Sequence, residues 1–225
     1  MEDNKQHKSV DTTSQAYRLA VGRGVLNLPN KLTILRMIMI PLFILFFYLN
    51  FVGHYFVALA VFALASLTDL LDGRIARKFN LVTNLGKFLD PIADKVLVSS
   101  ALIVFLTVPS FFTAYIGEWA IVLAGCCVAV IFARELIVSG FRMVAADAGI
   151  VIAADKVGKF KTLAQDIAIV ILLAYGGFSE FFPDSLPVEI LNYVGLILFA
   201  IAAVLTVISG INYILKNLEV LKADG

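Results

Sequence analysis

Val96-Leu-Val-Ser-Ser-Ala-Leu-Ile-Val-Phe-Leu-Thr-Val-Pro-Ser-Phe-Phe-Thr-Ala-Tyr-Ile-Gly117 contains no Asp, Glu, Lys or Arg. A charge-free stretch of this length reads as a bilayer span, and it continues a helix that begins near Gly86, with Pro109 and Ser110 breaking it at the far end. Working outward, Leu32 to Leu49 is apolar apart from Thr33 and Arg36, and Asn50, Gly53 and His54 mark a turn before a second run from Tyr55 to Leu71. Downstream, Trp119 to about Phe141, Lys159 to the glycines at 176 and 177, and Ile190 to about Leu215 complete a set of six.

The composition agrees. Of 225 residues, 60% are hydrophobic and 16% charged, and the mean hydropathy of +0.93 lies outside the range of soluble domains. Lipid offers no hydrogen bonds to backbone amides, so the expected fold is an all-α integral membrane protein with six transmembrane helices. The short connections leave no room for a separate soluble domain, and 27–225 is expected to form one membrane domain. Residues 1–26 are polar, lack the apolar core of a secretory signal, and read as a flexible N-terminal arm.

Six spans place both termini on one side. None of the 18 Lys and Arg residues falls in the turns near 50–54, 107–118 and 176–189. The positive-inside rule therefore makes those turns external and both termini cytosolic. The net charge of +1 is segregated along the chain and gathers into no stripe that would suit nucleic acid. Cys126 and Cys127 are neighbours in an apolar run, where cysteine acts as a small hydrophobe. His54 reads as a surface residue of an external turn.

The chemistry gathers on the cytosolic side. Asp69-Leu-Leu-Asp72-Gly73-Arg74-Ile75-Ala76-Arg77 closes the second helix, and Gly86-Lys-Phe-Leu-Asp90-Pro-Ile-Ala-Asp94 opens the third. Asp69 and Asp72 are spaced i, i+3 and Asp90 and Asp94 i, i+4, so each pair lies on one helix face, and an antiparallel hairpin can bring the faces together. Four converging carboxylates repel one another, and burying even one as an ion near hydrocarbon costs several kcal/mol. Bound cations remove the conflict. Oxygen ligands favour hard ions, and Mg²⁺ is commonly held by carboxylates together with substrate phosphates, which points to phosphoryl transfer. Gly73, Ala76 and Gly86 lack bulk where a ligand would approach, and Arg77 can clamp a phosphate. Two other readings of the same acids are a solvated rim paired with neighbouring lysines and arginines, and the ion path of a divalent-cation transporter. A transporter needs polar groups through the whole bilayer, whereas here they crowd one half. An aspartate-rich prenyl-diphosphate enzyme would also bind Mg²⁺, but the glycines and the second acidic pair fit it less well.

The complete pattern, Asp69-x-x-Asp72-Gly73-x-x-Ala76-Arg77, eight residues, Gly86-x-x-x-Asp90-x-x-x-Asp94, resembles the signature of the CDP-alcohol phosphatidyltransferase family at every position. The resemblance implies a homodimer of six-helix subunits that transfers a phosphatidyl group from CDP-diacylglycerol to an alcohol in the membrane. It implies Mg²⁺ or Mn²⁺ held by Asp69, Asp72 and Asp90, with Asp94 as general base and a further contributor to metal binding. It also implies a CDP-lipid site at Asp69, Gly73, Ala76, Arg77 and Gly86.

A second group of charges concerns the acceptor. Arg134 lies roughly two turns inside the fourth span, where an arginine is costly unless it faces a polar cavity or a partner such as Glu135. Arg142, Lys156, Lys159 and Lys161 add cations on the same side, and together they suit a phosphate-bearing acceptor. Arg142 and Lys156 also read as ordinary positive-inside charge. Within the family, Arg134-Glu135 with Arg142, Gly158-Lys159-x-Lys161-Thr162 with Gln165, and Asn27-Leu-Pro-Asn30-x-Leu-Thr33-x-x-Arg36 resemble the subgroup whose acceptor is glycerol 3-phosphate. That resemblance implies phosphatidylglycerophosphate and CMP as products, with Arg134, Arg142, Lys159 and Lys161 at the acceptor phosphate and Thr33 and Arg36 in support. Phosphatidylglycerol and inositol phosphate stay open as other acceptors of the family. The arm before Asn27 departs from the subgroup, whose chains begin near that residue.

Overall fold

In the computed structural model, residues 28–79, 84–112, 117–147 and 156–217 are described, and the N-terminal arm lies outside them. Among the described residues the long elements are all helices: α1 Leu28–Tyr48, α2 His54–Phe79, α3 Asn84–Leu106, α4 Trp119–Asp147, α5 Lys156–Phe181 and α6 Leu186–Lys216, with no strand. Four contain windows long and apolar enough to cross a bilayer: Asn30–Tyr48, Trp119–Ala145, Val157–Phe181 and Leu186–Lys216. The other two carry the aspartates, which explains their shortfall. The apolar part of α2 stops at Asp69, and α3 is charge-free only from Val96 to its end at Leu106. Leu45, Leu123, Ile137, Ile197, Val204 and Leu215 are each more than half exposed. Such outward apolar faces belong against acyl chains, and the chain is a multi-pass membrane protein.

The helices extend beyond the apolar runs. Helix α2 continues eight residues past Leu71 to Phe79, and α4 continues past Phe141 to Asp147. Helix α5 starts at Lys156 and does not fade at Gly176 and Gly177 but runs on to Phe181. The two glycines serve close packing. A Cβ at Gly176 would lie 2.8 Å from the Tyr55 ring, and one at Gly177 would lie 2.8 Å from that of Phe56.

The chain forms two compact units, and α1, α2 and α3 each contribute to both. The first comprises Met1–Leu42 and Val61–Leu97. Its described core includes one face of α1, where Asn30, Thr33 and Arg36 are buried together with Ile40. The second comprises Phe43–Ala60 and Val98–Gly225. Its core is aromatic at one end: the buried Phe47 ring meets Tyr48, Tyr55, Phe105 and Phe111 at centroid distances of 5.2–6.4 Å. Such contacts add to the value of the area buried. Helices α5 and α6 form an antiparallel hairpin, turning at Asp184 with φ of 59° before Ser185 takes the N-cap position of α6. They approach closely at Gly195, where a Cβ would lie 2.8 Å from Leu172.

The turn between α1 and α2 is pinned, which corrects the reading of His54 as a simple surface residue. Its side chain is 14% exposed, with Nε2 3.2 Å from Glu180 Oε1 and Nδ1 3.3 Å from the Phe46 carbonyl. Glu180 also accepts the Gly53 N–H, so one carboxylate at the end of α5 fastens the turn. Neither residue's sequence surroundings announced the pair, because the partners are separated by more than half the chain.

Candidate functional site

Helix α2 carries its motif as continuous helix: the backbone stays helical to Phe79, so positions 69, 72, 73, 76 and 77, at spacings of three and four, form one stripe. Positions 86, 90 and 94 form a corresponding stripe on α3. The side chains of Asp72, Ala76, Arg77 and the position of Gly86 relative to a ligand lie outside what is described, and the same holds for Gly73. Asp69 and Asp90 are partly buried, and Asp94 is exposed.

Helix α1 reaches one acid of each pair. Arg36, fully buried, places NH1 2.6 Å from Asp69 Oδ1, and the Thr33 hydroxyl donates to Asp90 Oδ1 at 2.5 Å. The two side chains named only as supporting residues thus touch one acid on α2 and one on α3. A buried arginine beside a carboxylate and a hydroxyl donated to another fix the rotamers of both. Each contact occupies one oxygen, and a carboxylate has two. Among the described residues no three acidic, histidine or cysteine side chains gather as a ready metal site. Asp69 and Asp90 nevertheless have the hard, oxygen-only chemistry that suits Mg²⁺ or Mn²⁺, and Asp72 would supply a third carboxylate from the α2 stripe.

The basic residues expected at the acceptor phosphate fall in the second unit. Arg134 and Lys161 converge on one atom: Glu135 Oε1 lies 3.1 Å from Arg134 NH1 and 2.7 Å from Lys161 Nζ. Lys161 is 2% exposed, so its ammonium has exchanged water for this carboxylate. The Arg134 stem passes α6 at Gly210, where a Cβ would lie 3.0 Å from Arg134 Cγ. Among the described residues Arg134 Nε and Gln165 Oε1 are buried without a hydrogen-bond partner, a state that native interiors rarely leave unfilled. Lys159, two residues before Lys161, falls on the opposite, exposed side of α5.

Arg142 is exposed near the end of α4 and donates from Nε to the Tyr213 hydroxyl at 3.2 Å. Its guanidinium carbon lies 5.6 Å from the centre of that ring. Glu135 and Tyr213 are the residues that sequence reasoning left out of the site. Glu135 was visible as a neighbour of Arg134, but no sequence signal links Arg142 to a tyrosine 71 residues away.

The chain belongs to the CDP-alcohol phosphatidyltransferase family, whose sequence profile matches residues 26–209. It is 41% identical over 212 residues to a CDP-diacylglycerol–glycerol-3-phosphate 3-phosphatidyltransferase of Bacillus subtilis strain 168, covering 88% of this chain and 98% of that one. The enzyme of the same name from Escherichia coli strain K12 is 38% identical over 190 residues, covering 84% and 93%. A third, from Shigella flexneri serotype 5b, shows the same identity and coverage. The family is generally dependent on divalent metal.

Proposed function

We propose that this protein is a phosphatidylglycerophosphate synthase: it transfers the phosphatidyl group of CDP-diacylglycerol to glycerol 3-phosphate, giving phosphatidylglycerophosphate and CMP. The 41% identity with an enzyme of that name over almost its whole length carries the reading. The ungapped aspartate pattern supports it from the residues.

In this reading the acceptor hydroxyl oxygen bonds to the β-phosphorus of the CDP-lipid, the bond from that phosphorus to the oxygen of CMP breaks, and the hydroxyl proton passes to Asp94. A carboxylate on an exposed helix face suits that task. Asp69, Asp72 and Asp90, with Asp94 contributing, would hold Mg²⁺ or Mn²⁺, which when bound offsets the negative charge of the diphosphate. Asp69, Gly73, Ala76, Arg77 and Gly86 form the CDP-lipid site, the small residues admitting the nucleotide against backbone and Arg77 meeting a phosphate oxygen. Thr33 and Arg36 keep Asp90 and Asp69 in place. Arg134, Arg142 and Lys161 bind the acceptor phosphate, whose charge answers the cations around Glu135, and Lys159, on the exposed side of α5, adds to the positive field that draws the phosphate in. Gln165 Oε1, left unpartnered among the described residues, suits a hydroxyl of the glycerol.

The same reading assigns six transmembrane helices to 27–225 as one membrane domain, with both termini and the active site at the cytosolic face of the cell membrane, residues 1–26 as an N-terminal arm, and a homodimer as the working form. The charge asymmetry between the two sets of turns supports the orientation.

The test is CMP release by detergent-purified protein given CDP-diacylglycerol and Mg²⁺ with glycerol 3-phosphate, phosphatidylglycerol, inositol phosphate or no acceptor. Release that requires glycerol 3-phosphate and stops with chelator is the expected result. Release driven by phosphatidylglycerol or inositol phosphate would reassign the acceptor, and none with any acceptor would reject the enzyme.

A further inference from the structure

We propose that Tyr213 is a positioning residue of the acceptor-phosphate site, fixing the Arg142 guanidinium so that its two terminal nitrogens face the acceptor's phosphate. The inference rests on the reading of Arg142 as a phosphate ligand.

Arg142 is exposed on α4. An unrestrained arginine there samples many rotamers, and each bound phosphate would have to order it anew. Tyr213 removes that freedom. The phenol is 2% exposed and its ring belongs to a cluster with Val138, Phe141 and Ala145. The Phe141 ring meets it edge-on, at 5.9 Å and 79°. At the C-terminal end of α6, the Asn217 side-chain amide donates to the Tyr213 carbonyl at 2.7 Å, which closes the last turn. The hydroxyl is therefore a fixed acceptor, and Arg142 Nε donates to it at 3.2 Å. The guanidinium carbon, 5.6 Å from the ring centre, gains a cation–π attraction as well. Two contacts to one rigid ring define both the position and the tilt of the planar group.

Directional chemistry follows from which nitrogen is used. A guanidinium has five N–H donors in a fork. With Nε–H given to the phenol, the pair of terminal nitrogens forms the edge that matches two oxygens of a phosphate. A phenylalanine would fill the same space and keep the cation–π contact but lose the hydrogen bond. That difference isolates positioning from packing.

The experiment measures steady-state constants for both substrates in wild type, Tyr213→Phe, Arg142→Ala and the double variant. For Tyr213→Phe we expect the glycerol 3-phosphate KM to rise about three- to tenfold, the range of one ordinary net hydrogen bond. The KM for CDP-diacylglycerol and kcat stay unchanged. Arg142→Ala raises the acceptor KM further, and adding Tyr213→Phe to it changes nothing more, because the residue being positioned is gone. An unchanged acceptor KM in Tyr213→Phe, or an effect that persists in the Arg142→Ala background, overturns the inference while leaving the reading of Arg142 intact. An unchanged acceptor KM in Arg142→Ala rejects that reading and the inference with it. KM does not depend on how much enzyme is folded, so partial loss of Tyr213→Phe during purification does not obscure the result.

Discussion

Among single residues, the acids divide by what surrounds them. Among the described acids of the motif Asp94 is the exposed one, and replacing it by Asn keeps its shape but removes the proposed base. We expect Asp94→Asn to lower CMP release by about two to four orders of magnitude, the usual contribution of a positioned base, with the melting temperature in detergent unchanged. Arg36 is the opposite case. It is fully buried against Asp69, and Arg36→Met should destabilise the fold by roughly 1–3 kcal/mol, less than the about 3–5 kcal/mol of breaking a fully buried ion pair because the Asp69 side chain is 36% exposed. Thermal unfolding in detergent measures this, and Mn²⁺ binding followed by electron paramagnetic resonance should weaken with it. Glu135→Gln keeps the shape between Arg134 and Lys161 and removes the charge. Its expected signature is a higher acceptor KM with an unaltered CDP-diacylglycerol KM, since the buried Lys161 ammonium loses its counter-ion.

For the helices, the sequence showed cores better than ends. The apolar runs located all six helices because composition is local, and the aspartate pattern stood out because its spacing is a property of two adjacent helices. Helix ends depend on distant partners. Gly176 and Gly177 resemble a terminus, yet α5 passes through them because the rings of Tyr55 and Phe56 occupy the space a side chain would take. Gly177→Val should therefore cost about 1–3 kcal/mol through overpacking, read as a lower melting temperature, with residual activity per folded molecule retained. The same limit hid Tyr213 and the His54–Glu180 pair. Each is defined by a contact between helices that no spacing rule encodes.

For the molecule as a whole, the charge distribution predicts that the N-terminal arm and the C-terminal tail face the same compartment. Single cysteines introduced at positions 5 and 222, in a background with Cys126 and Cys127 replaced by Ala, should react with a membrane-impermeant maleimide in inverted vesicles and not in intact cells. A cysteine at position 184 should show the reverse. Labelling of 5 and 222 from opposite sides would exclude an even number of spans. The buried polar face of α1 also has a consequence for biosynthesis. Helix α1 leaves the ribosome before α2 exists, carrying Arg36, and an unpaired arginine within a lone apolar helix adds to the work of entering lipid, by at most the roughly 2.5–3.5 kcal/mol of a site at the bilayer centre. Asp69 and Asp90, which answer Arg36 and Thr33 in the folded chain, are made later. The nascent first helix is thus an incomplete passenger at the translocation machinery, and a chain stopped after Tyr48 should integrate less fully than one stopped after Leu106. The acids proposed to serve catalysis in the mature protein would then first serve as escorts, drawing the opening helix into the membrane as its successors emerge.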